Sequence, residues 1–405
     1  MTDVMAFIPD YVKRVFDTLH QNGREGYLVG GSLRDILRGI APNDFDMTTD
    51  ATPDEMLQIF KDWRVIPTGL KHGTVTVLSD GHPIEITTHR TDGSYSDSRH
   101  PDKVTFTTSL AEDLKRRDFT VNAMAFSEKT GLVDLFEGTI DLQNGILRAV
   151  GDPERRFSED ALRILRCFRF AARLDFTVEE ATARAAAATA SRLADIAPER
   201  IFAELSRTLV ASAAEKGLSG LLTAGCAPYV FKNAALDLTV LPLLHTLPAI
   251  VPLRLAALIH QSHDEAVLAL LSYLRTSKEF STGVRAYLSA LKDPIPQTPY
   301  EARRFVCRHF PHAENCLLLK GALSGKDTAE AILLCRRVLR DGTAVELRRL
   351  AVNGKDLQLQ AGVRPDKTAA LLAALQDLVW QSPADNKRDV LLAHAKRITE
   401  KENWL

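Results

Sequence analysis

The first strong pattern along the chain is an amphipathic stretch over residues 9–22. Its apolar side chains recur at the spacing of one helical face, which carries Val12, Val15, Phe16 and Leu19. Asp10 is in position to cap this helix, and Gly23 is in position to end it. The pattern therefore predicts a helix packed on the core through that face.

The next pattern combines a short apolar run with a second helical spacing. Gly26–Val29 predicts a buried strand, and Ser32–Arg38 predicts a helix, with Gly30 and Gly31 between them. A strand–Gly-Gly–helix turn lets a phosphate approach the backbone and directs helix N–H groups at it. Arg34, one turn into the helix, is placed to add a forked contact. Alone the motif is weak, because most such turns bind nothing.

A pair of aspartates follows within a few residues. Residues 43–47 predict a strand, and Asp44 and Asp46, two apart, then share one face. Two carboxylates so close repel unless a cation joins them, and hard oxygen ligands suit Mg²⁺. An Asp-x-Asp pair is common on surfaces, but a phosphate-binding turn beside a paired-carboxylate site is the equipment for nucleotidyl transfer.

Further strands follow the aspartate pair. We predict strands over Val65–Thr68, Thr74–Leu78 and His82–Thr88. In the last of these, Glu85 lies between two isoleucines and so faces away from them. It is either a solvent-facing glutamate or a third acid that binds metal or takes the proton from an attacking hydroxyl.

Two later segments are dense in charge. In residues 110–125 the polar side chains Arg116, Arg117, Asp118 and Asn122 interrupt core positions, which is typical of a solvated helix end or of a site. Residues 152–172 predict a helix capped by Ser158, with one polar face formed by Asp160, Arg163, Arg166 and Arg169. That face is either a ladder of ion pairs or a surface that reads a nucleobase. A carboxylate can accept the amino proton of cytosine or adenine while an arginine serves the ring nitrogen.

Taken together, these motifs resemble the polymerase-β-like nucleotidyltransferases, and more narrowly the class II CCA-adding enzyme and bacterial poly(A) polymerase family. The resemblance rests on Gly-Gly-Ser-Leu-Arg-Asp with Asp-Phe-Asp, Lys-His-Gly-Thr-Val-Thr-Val, Arg-Arg-Asp-Phe-Thr-Val-Asn-Ala, Glu-Asp-Ala-Leu-Arg and Glu-Arg-Ile-Phe-Ala-Glu-Leu. The motifs occur in family order over about residues 26–205. A weaker likeness covers residues 350–390.

The resemblance implies roles for particular residues. Asp44, Asp46 and Glu85 would be the catalytic acids, and the first two would hold metal, with a two-Mg²⁺ site expected. It implies Arg117 on the phosphates, Asp118 and Asn122 near the ribose, and Glu159–Arg163 as a protein template for the base. Residues 89–103 correspond to the family's flexible loop, which helps to reshape the site when A replaces C. The full predicted nucleotide-binding set is Gly30, Gly31, Ser32, Arg34, Arg117, Asp118, Asn122, Asp160, Arg163, Arg166 and Arg169.

The rest of the chain predicts helices from about residue 211 onward. Residues 254–264 faintly resemble an HD metal-hydrolase stretch, but the other ligands of such a site are missing from the sequence. The arginine pairs at 303–304, 336–337 and 348–349 either contact RNA phosphates or form solvated faces.

Composition narrows the class of protein. The chain has 405 residues, 45% hydrophobic and 25% charged, and a net charge of −1, so RNA contacts must come from local patches. The five cysteines show no Cys-x-x-Cys spacing, which favours reduced thiols over zinc. No apolar run of membrane-spanning length and no signal-peptide pattern occur. We expect a cytoplasmic protein without a membrane partner.

We therefore predict an α+β nucleotidyltransferase head with a mixed sheet (residues 1–147), followed by an all-α neck (148–210), body (211–345) and tail (346–405) that contacts the tRNA elbow. The predicted reaction is template-independent addition of C, C and A to the 3′ end of tRNA from CTP and ATP. The alternatives are a poly(A) polymerase, an enzyme adding only C-C or only A, and a non-catalytic RNA-binding protein on the same fold.

Overall fold

The structure is a computed structural model that describes residues 3–67, 69–92 and 104–404. Two compact units are present: residues up to Ala234 together with Leu268–Arg275, and Ala235–Val267 together with the residues from Thr276 onward. The predicted fold class, a mixed sheet with helices followed by a mostly helical region, is confirmed. No helix within the described ranges is long and apolar enough to cross a membrane.

The first unit contains the strands. Seven of them form one sheet in the order β3-β4-β5-β2-β1-β8-β9, in which β2 and β5 run parallel and the other neighbours antiparallel. Two short ladders pair β6 with β7 and β10 with β11. The strands are β1 (Gly26–Val29), β2 (Asp46–Thr49), β3 (Arg64–Ile66), β4 (Thr74–Ser79), β5 (His82–Thr88), β6 (Arg90–Asp92), β7 (Val104–Phe106), β8 (Met124–Ser127), β9 (Gly131–Asp134), β10 (Ile146–Leu147) and β11 (Thr177–Val178).

Helices cover both faces of the sheet, so all four residues of β1 are buried. Leu28 faces the larger core with Val15 and Leu33, whereas Tyr27 and Val29 face a smaller core with Leu114. The α-helices of this unit are α1 (Asp10–Gln21), α2 (Gly30–Leu37), α3 (Pro53–Ile59), α4 (Leu110–Lys115), α5 (Gly138–Asn144), α6 (Pro153–Glu159), α7 (Leu162–Leu174), α8 (Glu180–Thr189), α9 (Pro198–Leu209), α10 (Ala214–Thr223) and α11 (Ala227–Val230).

Several predicted boundaries need correction. The apolar face of α1 is buried as predicted, but Asp10 is its first residue and Pro9 stands at the N-cap without a side-chain bond. Helix α2 begins at Gly30 rather than Ser32, so both glycines belong to its first turn. Strand β2 begins at Asp46 instead of residue 43, which leaves Asp44 in the preceding bend. The strand predicted over His82–Thr88 is confirmed.

The predicted loop over residues 89–103 is wrong at its start, because Arg90–Asp92 pairs with Val104–Phe106 as a hairpin stem. The prediction for residues 93–103 lies outside the described residues, as does Thr68 at the end of one predicted strand. The two-residue strand β11 also interrupts the stretch predicted to be all-α.

The prediction that Ser158 caps a helix is wrong. Ser158 lies inside α6, whose N-terminus is capped by Asp152 through the N–H groups of Glu154 and Arg155. The chain then becomes extended at Asp160, with φ −141° and ψ 104°, before α7 begins. The Asp160 carboxylate accepts from the Leu162 N–H at 3.0 Å. It therefore stands at the entrance of α7 rather than within one helix shared with the arginines.

The second unit is helical throughout its described length. Near its C-terminus, α18, α19 and α20 enclose a separate apolar core that includes Leu357, Leu371 and Leu391. The remaining helices are α12 (Val251–Ile259), α13 (Asp264–Tyr273, which extends into the first unit), α14 (Lys278–Ala290), α15 (Pro299–His309), α16 (Ala313–Ser324), α17 (Ala329–Arg340), α18 (Gly354–Ala361), α19 (Thr368–Gln381) and α20 (Arg388–Lys401).

Candidate functional site

A cleft of about 510 Å³ in the first unit brings the predicted motifs together. Eight arginines and five aspartates line it, so positive side chains outnumber negative ones there in a chain whose net charge is −1. This local patch is the kind required of an anion-binding site on a near-neutral protein. The lining residues are Gly30, Gly31, Arg34, Asp35, Asp44, Asp46, Arg116, Arg117, Asp118, Asn122, Asp160, Leu162, Arg163, Arg166, Arg169, Phe170, Arg173 and Arg200.

The glycine turn forms one wall of the cleft. Gly30 has φ +70°, a conformation that side chains other than glycine rarely adopt. A Cβ on Gly30 would lie 3.5 Å from Nη1 of Arg117 and 4.0 Å from Oδ2 of Asp46. The N-cap of α2 is Val29, whose apolar side chain makes no capping hydrogen bond. A ligand phosphate can therefore approach helix N–H groups, an arginine and the acids in one place.

The acids occupy adjacent positions. Asp46 pairs in register with Glu85 across the parallel strands β2 and β5, and Asp44 lies two residues before Asp46. Desolvation at the cleft wall, Asp44 and Glu85 together raise the pKa of Asp46 to about 6, although Arg117 opposes the shift. Negative charge is thus concentrated here in a way that a bound cation would relieve.

Asp44 and Asp46 fit Mg²⁺ as part of its coordination shell. Within the described ranges, no group of three or more His, Cys, Asp or Glu side chains is arranged to hold a metal ion. Asp44 and Asp46 both line the cleft, while Glu85 is exposed on the neighbouring strand and does not. Mg²⁺ is commonly held by one or two carboxylates together with substrate phosphates and water, and that is what this pair offers.

Two residues predicted to bind nucleotide are engaged within the protein. The Ser32 hydroxyl is buried and donates to the Val29 carbonyl at 3.0 Å, so Ser32 does not line the cleft. Arg34 lines it, but its Nε donates to Asp35 at 2.9 Å and its Nη1 donates to Asn122 at 2.7 Å. Arg34 therefore ties α2 to Asn122 as well as contributing positive charge.

Asp118 is the most heavily bonded acid of the cleft. One carboxylate oxygen accepts from the Phe119 N–H at 2.9 Å and from Asn122 at 3.2 Å, and the other accepts from Nε and Nη2 of Arg166 at 3.0 and 2.5 Å. Burial alone would raise the pKa of Asp118, but Arg166 and Asn122 outweigh it and lower the pKa to about 2. Asp118 is thus an ionised link between the sheet region and α7.

The side chains predicted to read the base also line the cleft. Oδ2 of Asp160 accepts from Arg200 at 3.3 Å, and Arg163 donates to Glu159 at 3.0 Å and to the Arg116 carbonyl at 3.1 Å. Asp160 and Arg163 both face the cleft but are oriented by different partners. Arg169 is held by Glu204 on α9 at 2.5 Å.

Sequence analysis did not assign several lining residues, namely Asp35, Arg116, Leu162, Phe170, Arg173 and Arg200. The Phe170 ring is the most central of them, because Arg34, Arg166 and Arg169 lie over it at 5.6, 5.4 and 4.0 Å from its centroid. An aromatic residue beside Arg169 in an arginine-rich helix is a usable signal for cation–π packing. The contact of Arg200 with Asp160 spans 40 residues, and no local spacing reveals it.

Two family models match the chain. One is described as "Poly A polymerase head domain" and matches residues 26–148, and the other is described as "Probable RNA and SrmB- binding site of polymerase A" and matches residues 175–238. The first match covers the sheet, the glycine turn and the paired acids. Together these features define the chain as a nucleotidyltransferase.

Relatives at full length narrow the assignment. The CCA-adding enzyme of Lactiplantibacillus plantarum is 37% identical over 402 residues, covering 96% of this chain and 97% of the relative. That of Levilactobacillus brevis is 36% identical, with coverage of 95% and 96%. The chain belongs to the family of CCA-adding enzymes, which confirms the resemblance drawn from its motifs.

Solved structures agree with this assignment. The Bacillus stearothermophilus CCA-adding enzyme, determined in complex with CTP, is 29% identical and superposes with a TM-score of 0.85 over 100% of this chain and 99% of its own. The Thermotoga maritima CCA-adding enzyme, complexed with tRNA, has a TM-score of 0.68 and coverage of 97% and 96%. At 20% identity it supports the fold alone.

Proposed function

We propose that this chain adds C, C and A to the 3′ end of tRNA, taking the nucleotides from CTP and ATP and releasing pyrophosphate. The observation that carries the proposal is that one cleft is lined both by the paired acids beside a glycine turn and by Asp160 with Arg163. One nucleoside triphosphate can then contact both groups, with its phosphates near the acids and its base near α7. The named activity of the full-length relatives supports the same reaction.

At the acid end, Asp44 and Asp46 would hold Mg²⁺, with Glu85 as the adjacent third carboxylate. When bound, the ion would activate the 3′-hydroxyl of the RNA and neutralise the triphosphate as pyrophosphate leaves. Glu85, exposed and paired in register with Asp46, would accept the proton of the attacking hydroxyl once the RNA end is bound beside the acids.

The protein itself would bind the triphosphate through the first turn of α2 and through Arg117. Gly30 and Gly31 of this turn line the cleft, and the N-cap residue Val29 makes no side-chain capping bond. Arg117 lies beside Gly30. Asp118 and Asn122, fixed by Arg166 and Arg34, line the middle of the cleft, where the ribose would lie.

At the base end, Asp160 would accept the amino proton of cytosine or adenine, and Arg163 would serve the ring nitrogen. Guanine and uracil reverse this donor and acceptor pattern. Because Asp160 is held by Arg200 and by the Leu162 N–H, its carboxylate is oriented before any base arrives. A pre-oriented acceptor of this kind takes the place of a nucleic-acid template.

The division into head, neck, body and tail remains a prediction that accompanies this proposal, as does contact of the tail with the tRNA elbow. Some of the arginine pairs considered for RNA binding are ion-paired, since Arg336 contacts Glu314 and Arg348 contacts Glu346. The five cysteines are free thiols, which supports the cytoplasm as the compartment we propose.

An aspartate variant separates catalysis from RNA binding. Asp44→Ala should abolish nucleotide incorporation while tRNA affinity, measured by filter binding, stays within about twofold, because the change removes a carboxylate and none of the positive charges that would bind RNA phosphates. Asp54→Ala, an exposed aspartate in the first turn of α3, is the matched control and should retain activity. Unchanged incorporation by Asp44→Ala would refute the assigned acid pair, and a wild-type protein that binds tRNA without incorporating any nucleotide would be the non-catalytic alternative.

A further inference from the structure

Asp113, on α4, lies behind the cleft without lining it. Its side chain is fully buried, and it accepts hydrogen bonds from two consecutive arginines. Oδ1 accepts from Nε and Nη2 of Arg116 at 3.0 and 2.7 Å, and Oδ2 accepts from Nη2 of Arg117 at 3.0 Å. One carboxylate thus orients two of the cationic side chains that line the cleft.

The same carboxylate reaches the hairpin stem. Oδ1 also accepts from the backbone N–H of Arg90, the first residue of β6, at 3.4 Å. Asp113 therefore links α4 to β6. Strand β6 follows β5, and β5 carries Glu85. A shift of β6 or of α4 would change the geometry around Asp113 directly.

The last turn of α4 is fixed on its other side as well. The Arg116 carbonyl accepts from Arg156 at 3.3 Å and from Arg163 at 3.1 Å, and the Lys115 carbonyl accepts from Arg156 at 2.7 Å. The backbone that carries Arg116 and Arg117 is thereby joined to α6 and α7. The direction in which the two guanidinium groups point then depends on Asp113.

Arg117 also retains unused donor capacity. Its Nε is buried and has no hydrogen-bond partner among the described residues. Its Nη1 is the atom nearest to a Cβ built on Gly30, at the wall of the glycine turn. Nη1, the guanidinium nitrogen beside that turn, is the donor placed to bind an oxygen-rich anionic ligand such as a phosphate.

We infer that Asp113 is a positioning residue that holds Arg117, and with it Arg116, in the geometry that binds the triphosphate of the incoming nucleotide. The inference rests on the proposed nucleotide site. Asp113 contacts no substrate and acts through the two arginines, so it belongs to the phosphate end of the cleft and not to base selection.

Electrostatics agrees with this role. Burial alone would raise the pKa of Asp113, but Arg117 and Arg116 outweigh it and lower the pKa to about 2. The carboxylate is therefore ionised at neutral pH. Without this charge the two neighbouring guanidinium groups would repel each other, and the preferred direction of Arg117 would be lost.

The test compares affinities for CTP and CMP, measured calorimetrically in Mg²⁺ buffer, in wild-type protein, Asp113→Asn and Glu112→Gln. Glu112 is the matched control, since it is an exposed acid on the same helix that pairs with Lys115. We expect Asp113→Asn to lower CTP affinity about tenfold, the loss of roughly one charge-assisted contact. CMP affinity should stay within about twofold, because CMP lacks the outer phosphates.

Each other outcome has a distinct meaning. Unchanged affinity for both ligands in Asp113→Asn would overturn the inference. An equal loss for both ligands, which leaves the ratio of CTP to CMP affinity unchanged, would also overturn it, because it would show a merely structural role. If Asp113→Asn does not fold, the double variant Asp113→Asn/Arg116→Gln also removes one of the two positive charges that Asp113 balances and should show the same selective loss. Wild-type protein that binds CTP no better than CMP would refute the proposed function itself.

Discussion

The ion pair between Asp118 and Arg166 provides the sharpest test of the energetics of the cleft. Asp118→Asn keeps the size of the side chain but removes its charge and turns one acceptor into a donor that faces the guanidinium of Arg166. Lowering the pKa of Asp118 from 3.8 to about 2 corresponds to about 2 kcal/mol of stability at neutral pH. Breaking a buried pair typically costs about 3–5 kcal/mol. Because the Arg166 side chain remains one-third exposed, we expect Asp118→Asn to lower the free energy of unfolding by about 2–3 kcal/mol.

The pH dependence of this loss follows from its sign. A carboxyl whose pKa is depressed on folding contributes its stability above its unfolded pKa and loses it as the pH falls toward the folded pKa. The difference between wild type and Asp118→Asn should therefore be constant from pH 7 to about 5 and fall to about half by pH 3. A penalty that does not change with pH would mean that the effect is one of packing and not of charge.

The assay must report on the unit that contains Asp118. Trp63 lies in that unit, whereas Trp380 and Trp404 lie in the other, so replacing the latter two by Phe in every variant leaves Trp63 as the only fluorescent tryptophan. Urea unfolding then gives the free energy of that unit, with exposed Asp17→Asn on α1 as the control. If Asp118→Asn lowers the free energy of unfolding by less than about 1 kcal/mol at pH 7, the reasoning is refuted, because an exposed ion pair contributes that little.

Three further predictions concern other parts of the same unit. A carboxylate must lose its proton to bind a cation, and the pKa of Asp46 is about 6. Mg²⁺ affinity measured by calorimetry should therefore fall as the pH drops from 7.5 to 5.5. An affinity that does not change with pH would exclude Asp46 as a ligand. Asp160→Asn should lower kcat/KM for CTP and ATP by about 10–100-fold and raise misincorporation of UTP, since the charged acceptor of the base amino group is lost; an unchanged nucleotide preference would contradict its role. Gly138→Ala should destabilise the protein by about 2 kcal/mol or more in a thermal melt, because its Cβ would lie 2.3 Å from the Thr120 carbonyl oxygen. Gly283→Ala is the control: its Cβ would make only ordinary contacts, so the stability of the protein should not fall.

Sequence analysis located the local elements of the cleft because their signals lie within a few residues. The helical spacing of Val12, Val15, Phe16 and Leu19 predicted the buried face of α1, and the isoleucines around Glu85 predicted β5. The error at Asp44 has a physical reason: the backbone bends before β2, and the pairing of Asp46 with Glu85 across strands, which no local spacing encodes, fixes where the strand begins.

The remaining errors and omissions arise where local signals compete or where only packing shows which signal matters. Ser158 is a residue type that often caps a helix, but Asp152 beside Pro153 starts an earlier helix. The backbone then becomes extended at Asp160, which separates that helix from α7. Asp113 did have a local signal, since residues three and four positions apart on a helix are neighbours and Arg116 and Arg117 occupy those positions. Its significance emerged only once α4 was packed behind the cleft.

Single-nucleotide incorporation in Mg²⁺ tests the proposed activity most directly. Purified protein is given tRNA transcripts that end at the discriminator base, at C or at C-C, with CTP or ATP alone and then together. The account predicts C on the first two ends, A only on the third, and an abrupt stop. Continued addition of A to any end would show a poly(A) polymerase, C-only or A-only addition would show a partial activity, and no incorporation on any end would contradict the account.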